Sequence, residues 1–249
     1  MYMLDIPKEI SLFVENHKYV DVSCRSNSKT YHFDNDMFLK IDNANELKKE
    51  YQMATIFHKL GIGPKVIKYV SKEKDYLLTE EVKGYDLRLM TNEPERLCIV
   101  LAESLKKLHS MNTTNIPVSS RYERYIKSIN GTIDGGYYDT SFLLNNKSMS
   151  KEEAWNKMQK GKHLLKCDTF IHGDACLPNI MADTNNNALF IDTGLSGLGD
   201  RHIDIYWALW SLEYNLKTDK YNNLFKDTYG RDKIDEEMID IIEAFEVFG

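Results

Sequence analysis

Along the first third of the chain, apolar and aromatic positions come in short β-branched runs broken by polar turns. Residues 18–24 (KYVDVSC), 30–33 and 37–41 are such runs, with Asp34-Asn35-Asp36 between the last two predicting a hairpin. The period then lengthens. Leu47, Tyr51, Ala54, Phe57 and Leu60 return at three- and four-residue steps, which predicts a helix ending at Gly61-Ile62-Gly63-Pro64. Two more strands are predicted at 66–70 and 76–82, followed by a connector, Lys83-Gly84-Tyr85. Leu97, Leu101, Leu105 and Leu108 recur at helical spacing, and residues 112–149 read as polar and irregular. Ser150 with Glu153 is a capping-box pattern opening a helix through Met158. Short β runs at 180–182 and 188–191 flank an Asp/Asn-rich turn, and helices are predicted at about 203–216, 221–229 and 235–247. The outline is α+β: a β-rich lobe over residues 1–83 and a mainly helical lobe over 84–249.

Composition changes this picture little. The chain has 249 residues with 42% hydrophobic and 28% charged positions, which is globular rather than disordered or fibrous. No apolar run reaches the roughly 18–20 residues of a membrane span, and the N-terminal stretch lacks the basic-then-apolar order of a signal peptide. Cys24, Cys98, Cys167 and Cys176 form no C-x-x-C pair, so free thiols and a cytoplasmic location are expected. A formal charge of −6 disfavours non-specific nucleic-acid binding.

The chemistry concentrates in His172-Gly173-Asp174-Ala175-Cys176-Leu177-Pro178-Asn179, followed by Ile191-Asp192-Thr193-Gly194. A carboxylate and an amide five residues apart precede a hairpin that returns to a second carboxylate. Phosphoryl transfer asks for this set. Mg²⁺ takes hard oxygen donors, and a hydroxyl must be held in line with the phosphate. Asp174 would orient or accept the hydroxyl proton, and Asn179 and Asp192 would hold the metal. The spacing is that of the protein-kinase catalytic loop and its D-x-G, with Gly173 and Thr193 replacing the usual arginine and phenylalanine.

The H-G-D-x-x-x-x-N form resembles the aminoglycoside phosphotransferase and choline kinase superfamily, and the longer run HGDACLPNIM closely resembles the aminoglycoside 3′-phosphotransferases. The resemblance implies a bilobal protein-kinase-like fold, with ATP or GTP and Mg²⁺ as cofactors. It also implies phosphorylation of a small cationic substrate, drug resistance as the biological role, and a monomer or weak dimer without nucleic-acid or membrane partners. It further implies a strand lysine contacting the α- and β-phosphates, which Lys40 supplies, paired with a helix carboxylate, Glu50 or alternatively Glu46. Phe38 takes the place of an aromatic that stacks on adenine. The backbone of Glu80 and Val82 takes the place of the adenine-binding hinge. Arg25-Ser26-Asn27-Ser28-Lys29 takes the place of the phosphate loop, with Ser26 central to it, although a plain hairpin turn reads equally well there.

Charge bears on the acceptor. Residues 174–249 carry 15 acidic and 6 basic side chains, against 23 and 26 in the preceding 173. An acidic second half draws cations, though a solvated acidic helix surface reads equally well. The resemblance implies that C-terminal acids and the chain-terminal carboxylate hold ammonium groups, which nominates Glu246 and Gly249, with Asp200 and Glu213. The chain departs from the family in three places. Leu195 stands where an arginine usually follows the D-x-G, Tyr214-Asn215 stand where an acidic pair is expected, and residues 112–165 do not match. Choline, an amino sugar, a macrolide or a metabolic alcohol therefore stay open as acceptors, as does a nucleotide-binding module without turnover. Trp207, Trp210 and Tyr214 share a helix face and read as packing, with an aromatic wall for a sugar as the alternative.

Overall fold

The computed structural model describes residues 4–24, 28–131, 133 and 138–248. Its contacts divide the chain into two units. One runs to Lys83 and adds Leu189–Gly194. The other comprises Gly84–Ala188 and Leu195–Gly249. The sequence reading leaves 189–194 with the second lobe, whereas this segment packs with the first: Phe190 donates its N–H to the Ile62 carbonyl at 2.7 Å and meets Phe57 edge-on at 5.8 Å.

In the first unit, α1 (Lys8–Val14) precedes β1 (Tyr19–Asp21), β2 (Lys29–Phe33) and β3 (Met37–Asn43). The β2–β3 hairpin turns through Asp34-Asn35-Asp36, with Asp36 in the left-handed region at φ 58°. Helix α2 (Lys48–Lys59) follows, then β4 (Val66–Ser71) and β5 (Lys74–Glu80). The antiparallel sheet has the order β1-β2-β3-β5-β4. Strand alternation sends Leu39 into a core with Ile10, Val14, Phe33 and Leu78. Lys40, one residue on, therefore faces the other side of the sheet.

In the second unit, β6 (Tyr85–Asp86) pairs with β8 (Ile180–Ala182). Helix α3 (Pro94–His109) buries Leu97, Leu101, Leu105 and Leu108, as its period predicts. Helix α4 (Ser120–Ile129) lies inside the region read as irregular. Its buried residues are Arg121 and Tyr125, so an arginine sits where the apolar period needs a hydrophobe. Helix α5 (Lys151–Gly161) opens on the Ser150–Glu153 capping box. The three-residue β7 (Thr169–Ile171) pairs with β10 (Gly197–Gly199). β9 (Ala188–Phe190) leads out to the segment shared with the first unit. Helices α6 (Arg201–Leu216), α7 (Asn222–Tyr229) and α8 (Glu236–Glu246) complete the chain, with Tyr206, Phe225, Tyr229 and Phe245 buried. No helix among the described residues is long and apolar enough to cross a membrane.

Candidate active site

In the first unit, β3 presents Lys40 and α2 answers with Glu50 in its first turn. The start of α2 is fixed from the sheet: buried Asp75 accepts the Leu47 N–H at 2.9 Å and the Tyr69 hydroxyl at 2.9 Å. Lys40 Nζ donates to Glu50 Oε2 at 2.7 Å and to Asp192 Oδ1 at 2.8 Å. Burial works against the Lys40 charge, but the two carboxylates outweigh it and hold the ammonium above its ordinary pKa. Glu50 is thus the helix partner, in preference to Glu46. Asp192 is held in the left-handed region at φ 55°, an uncommon conformation for a residue with a side chain. Its side chain stays 54% exposed, so this carboxylate meets both Lys40 and solvent.

Phe38 is half-buried on β3, and His32 stacks on one of its faces at 4.3 Å. The Glu80 N–H donates to the Lys65 carbonyl at 2.9 Å, and its side chain meets Lys65 at 2.8 Å. Val82 follows β5 and is half-buried. Ser26 and Gly249 lie outside the described residues.

In the second unit, β7 delivers the chain into His172-Gly173-Asp174. The buried Asp204 on α6 accepts the His172 N–H at Oδ2 and the Gly173 N–H at Oδ1, both at 2.7 Å. His109 adds a 3.0 Å contact to Oδ2, and its other ring nitrogen meets the Tyr229 hydroxyl at 2.8 Å. Burial would raise the Asp204 pKa, yet His109 and the loop N–H groups outweigh it and hold the carboxyl below its ordinary value. The His172 carbonyl accepts from Ser196 Oγ at 2.7 Å. Gly173 sits at φ +84°, and a Cβ there would lie 2.3 Å from the Leu195 carbonyl oxygen. Gly173→Ala is therefore expected to cost about 2–4 kcal/mol, combining backbone strain and overpacking. Urea denaturation should show the loss as a lower midpoint at unchanged slope.

Asp174 itself is half-buried, and its carbonyl accepts from Asn179 Nδ2 at 3.0 Å. A single turn, Leu177–Asn179, carries Asn179 back under the loop, secured by Ser211 Oγ accepting the Leu177 N–H at 3.0 Å. Asn179 therefore has its amide N–H₂ engaged on the loop, and its hard donor is the side-chain oxygen.

The phosphotransferase enzyme family profile matches residues 23–237. A probable aminoglycoside 3′-phosphotransferase of Lactococcus lactis subsp. lactis is 39% identical over 217 residues, covering 85% of this chain and 82% of its own. The chain belongs to the phosphotransferase enzyme family. It is thus an enzyme that transfers phosphate. An aminoglycoside 3′-phosphotransferase of Niallia circulans is 30% identical over 66% of this chain and 64% of its own. Among solved structures, the aminoglycoside phosphotransferase APH(3″)-Id of Streptomyces rimosus, in complex with ADP and streptomycin, superposes with a TM-score of 0.73. It has 18% identity and covers 99% of this chain and 100% of that one. The α+β fold is therefore that of this kinase-like phosphotransferase family.

Within this phosphotransferase, two of the carboxylates nominated for ammonium groups, Asp200 and Glu246, are buried. Asp200 is 2% exposed and caps α6, its oxygens taking the His202 N–H at 3.0 Å, the His202 ring at 2.6 Å and the Lys166 N–H at 2.9 Å. Glu246 is 2% exposed, with Arg121 Nη1 on Oε2 at 3.0 Å, and with the Trp207 indole N–H at 2.7 Å and the Tyr125 hydroxyl on Oε1. Against their nomination as ammonium ligands, both carboxylates are buried and taken up by protein donors, Asp200 as a helix cap and Glu246 as the partner of Arg121. Glu213 is half-buried and takes the Asn145 N–H and the Asn222 amide, both at 2.7 Å. On the aromatic face of α6, Trp207 is buried, while Tyr214 is 54% exposed and stacks on Trp210 at 5.2 Å.

Asp204, Arg121 and His109 are the site-supporting residues that the sequence reading misses. Asp204 alone leaves a signal. It is an acid between Ile203 and Ile205 on an apolar helix, where a buried carboxylate must have partners.

Proposed function

We propose that this phosphotransferase moves the γ-phosphate of ATP or GTP to a hydroxyl of an aminoglycoside, the 3′-hydroxyl, and so confers resistance to such drugs. The observation that carries the reading is the Lys40–Glu50–Asp192 cluster on the same chain as a doubly anchored His172-Gly173-Asp174 loop. The first is a preorganised cation for phosphate oxygens, and the second a carboxylate held for a hydroxyl. The 39% identity to a probable aminoglycoside 3′-phosphotransferase supports the acceptor class.

The roles follow from chemistry. Lys40 meets the α- and β-phosphates, held in place by Glu50. Phe38 and the backbone of Glu80 and Val82 meet the base. Asp174 orients the acceptor hydroxyl and takes its proton as the new O–P bond forms. Asn179 and Asp192 carry an amide and a carboxylate oxygen, the hard donors that Mg²⁺ takes, so the residues present fit that ion. When bound, the ion supplies positive charge to the phosphate oxygens.

Lys40→Met removes that preorganised cation. It is expected to lower kcat/KM for the triphosphate about 100-fold. Steady-state transfer of label from γ-labelled triphosphate to kanamycin measures this. Chelation with EDTA should stop the transfer, and added Mg²⁺ should restore it. Parental kcat/KM in Lys40→Met would remove the basis for the phosphate role.

A further inference from the structure

Helix α4 carries a buried guanidinium that none of the roles above uses. Arg121 is 8% exposed and sits on the first turn of the helix, behind the Ser119 cap. Its Nε donates to the Gly173 carbonyl oxygen at 3.0 Å. Its Nη1 donates to Glu246 Oε2 at 3.0 Å, and its plane lies over the Trp207 ring, 4.9 Å from the centroid. Glu246 is in turn fixed by Trp207 Nε1 and Tyr125, and Tyr125 stacks on Phe245 at 4.6 Å. One rigid fork therefore ties the last turn of α8 to the peptide immediately before Asp174.

That peptide is gripped on both sides. Arg121 supplies a donor to the Gly173 carbonyl and the Asp174 N–H donates to His172 Nδ1 at 3.3 Å, while Asp204 takes the Gly173 N–H of the preceding peptide. These bonds restrain both peptide planes that flank the Gly173 Cα, and with them the backbone from which the Asp174 side chain projects. A lysine could not do the same, because only guanidinium presents two divergent donors in a fixed plane. Stability alone is a weak reason to keep such a pair. Buried ion pairs are commonly matched or bettered by apolar residues of similar volume, and are better attested as devices that fix one arrangement.

We infer that Arg121 is a positioning residue for phosphoryl transfer: braced by Glu246, it orients the Gly173–Asp174 peptide so that Asp174 points at the acceptor hydroxyl. The inference rests on the reading of Asp174 as the group that takes the hydroxyl proton.

The test compares the paired variant Arg121→Met/Glu246→Leu with Arg121→Lys and Glu246→Gln. The pair removes both charges together, so no buried charge is orphaned, and its thermal midpoint should fall only by what the Trp207 N–H and Tyr125 hydroxyl lose with their acceptor. Its kcat should fall about 100-fold with KM for triphosphate changed less than about twofold, the signature of a misdirected group rather than lost binding. Amide exchange at Asp174 and Ala175 should quicken about tenfold or more. Arg121→Lys keeps the ion pair but loses the second donor, and should lose about tenfold in kcat. Should the pair not fold, Arg121→Lys decides the matter alone. Parental kcat and parental exchange in whichever variant folds would overturn the inference. So would a Glu246→Gln enzyme whose only change is a higher KM for the acceptor, since that marks Glu246 as a substrate ligand. Exchange needs no acceptor. If the parent enzyme phosphorylates nothing, the functional reading fails, while the exchange data still report whether Arg121 holds the loop.

Discussion

Replacing Asp174 with alanine is expected to lower turnover about 10³-fold while leaving triphosphate affinity within about twofold of the parent. The residue sits on the second unit with its carbonyl held by Asn179, and Lys40, proposed to meet the phosphates, belongs to the first. In the proposed reading Lys40 serves the nucleotide and the carboxyl serves the hydroxyl. Its loss removes proton acceptance and in-line orientation together, without emptying the phosphate site. Asp174→Asn should be almost as slow, because the amide can hold a hydroxyl but cannot take its proton. Initial rates alongside calorimetric titration of ADP separate the two quantities. Full turnover in Asp174→Ala would sink the assignment.

Asp204→Asn is expected to damage both stability and rate. The carboxylate accepts two loop N–H groups at 2.7 Å and faces His109 at 3.0 Å, all in the interior. An amide there turns one acceptor into a donor aimed at donors. Breaking a buried, hydrogen-bonded charge costs about 3–5 kcal/mol, and the loop that carries Asp174 loses one of its two grips. The pH dependence has a definite sign. A carboxyl whose folded pKa lies below the ordinary value of 3.8 contributes stability that is complete above that value. The contribution is lost as pH falls through the folded pKa. The parent should therefore lose stability as acid passes below about pH 4. The Asn variant, already lacking the contribution, should show a flatter curve there. Urea midpoints from pH 7 down to pH 3 would show it; curves of equal slope for both proteins would remove Asp204 from the argument.

The sheet of the first unit was legible because its strands alternate and its turns carry Asp and Asn. α3 and α5 were legible from period and capping box. The chemistry was legible because the spacing from His172 to Asn179 and on to Asp192 is set by a backbone loop and hairpin, which leave a pattern in the sequence. α4 was not, because Arg121 fills an inward position with a charge and so hides the hydrophobic period. β7 and β10 are three residues each and, unlike the equally short β8 and β9, have no Asp/Asn turn between them to mark the pair. The acidic C-terminal half misled in a specific way. Total charge does not say which acids face water. Asp200 became a helix cap and Glu246 the partner of a buried arginine, so the charge count overstated what a cationic acceptor meets. Only the packing of α4, α6 and α8 separates those acids from the solvated ones.

The measurement that bears most directly on the central claim is nucleoside diphosphate release by the purified enzyme with Mg²⁺, ATP or GTP, and an acceptor panel. The panel should hold kanamycin, neomycin, tobramycin, choline and a macrolide, with tobramycin included because it lacks the 3′-hydroxyl. Turnover with kanamycin and neomycin but not with tobramycin is the expected result. Silence with every aminoglycoside, alongside measurable triphosphate binding or brisk turnover of choline or the macrolide, would contradict it.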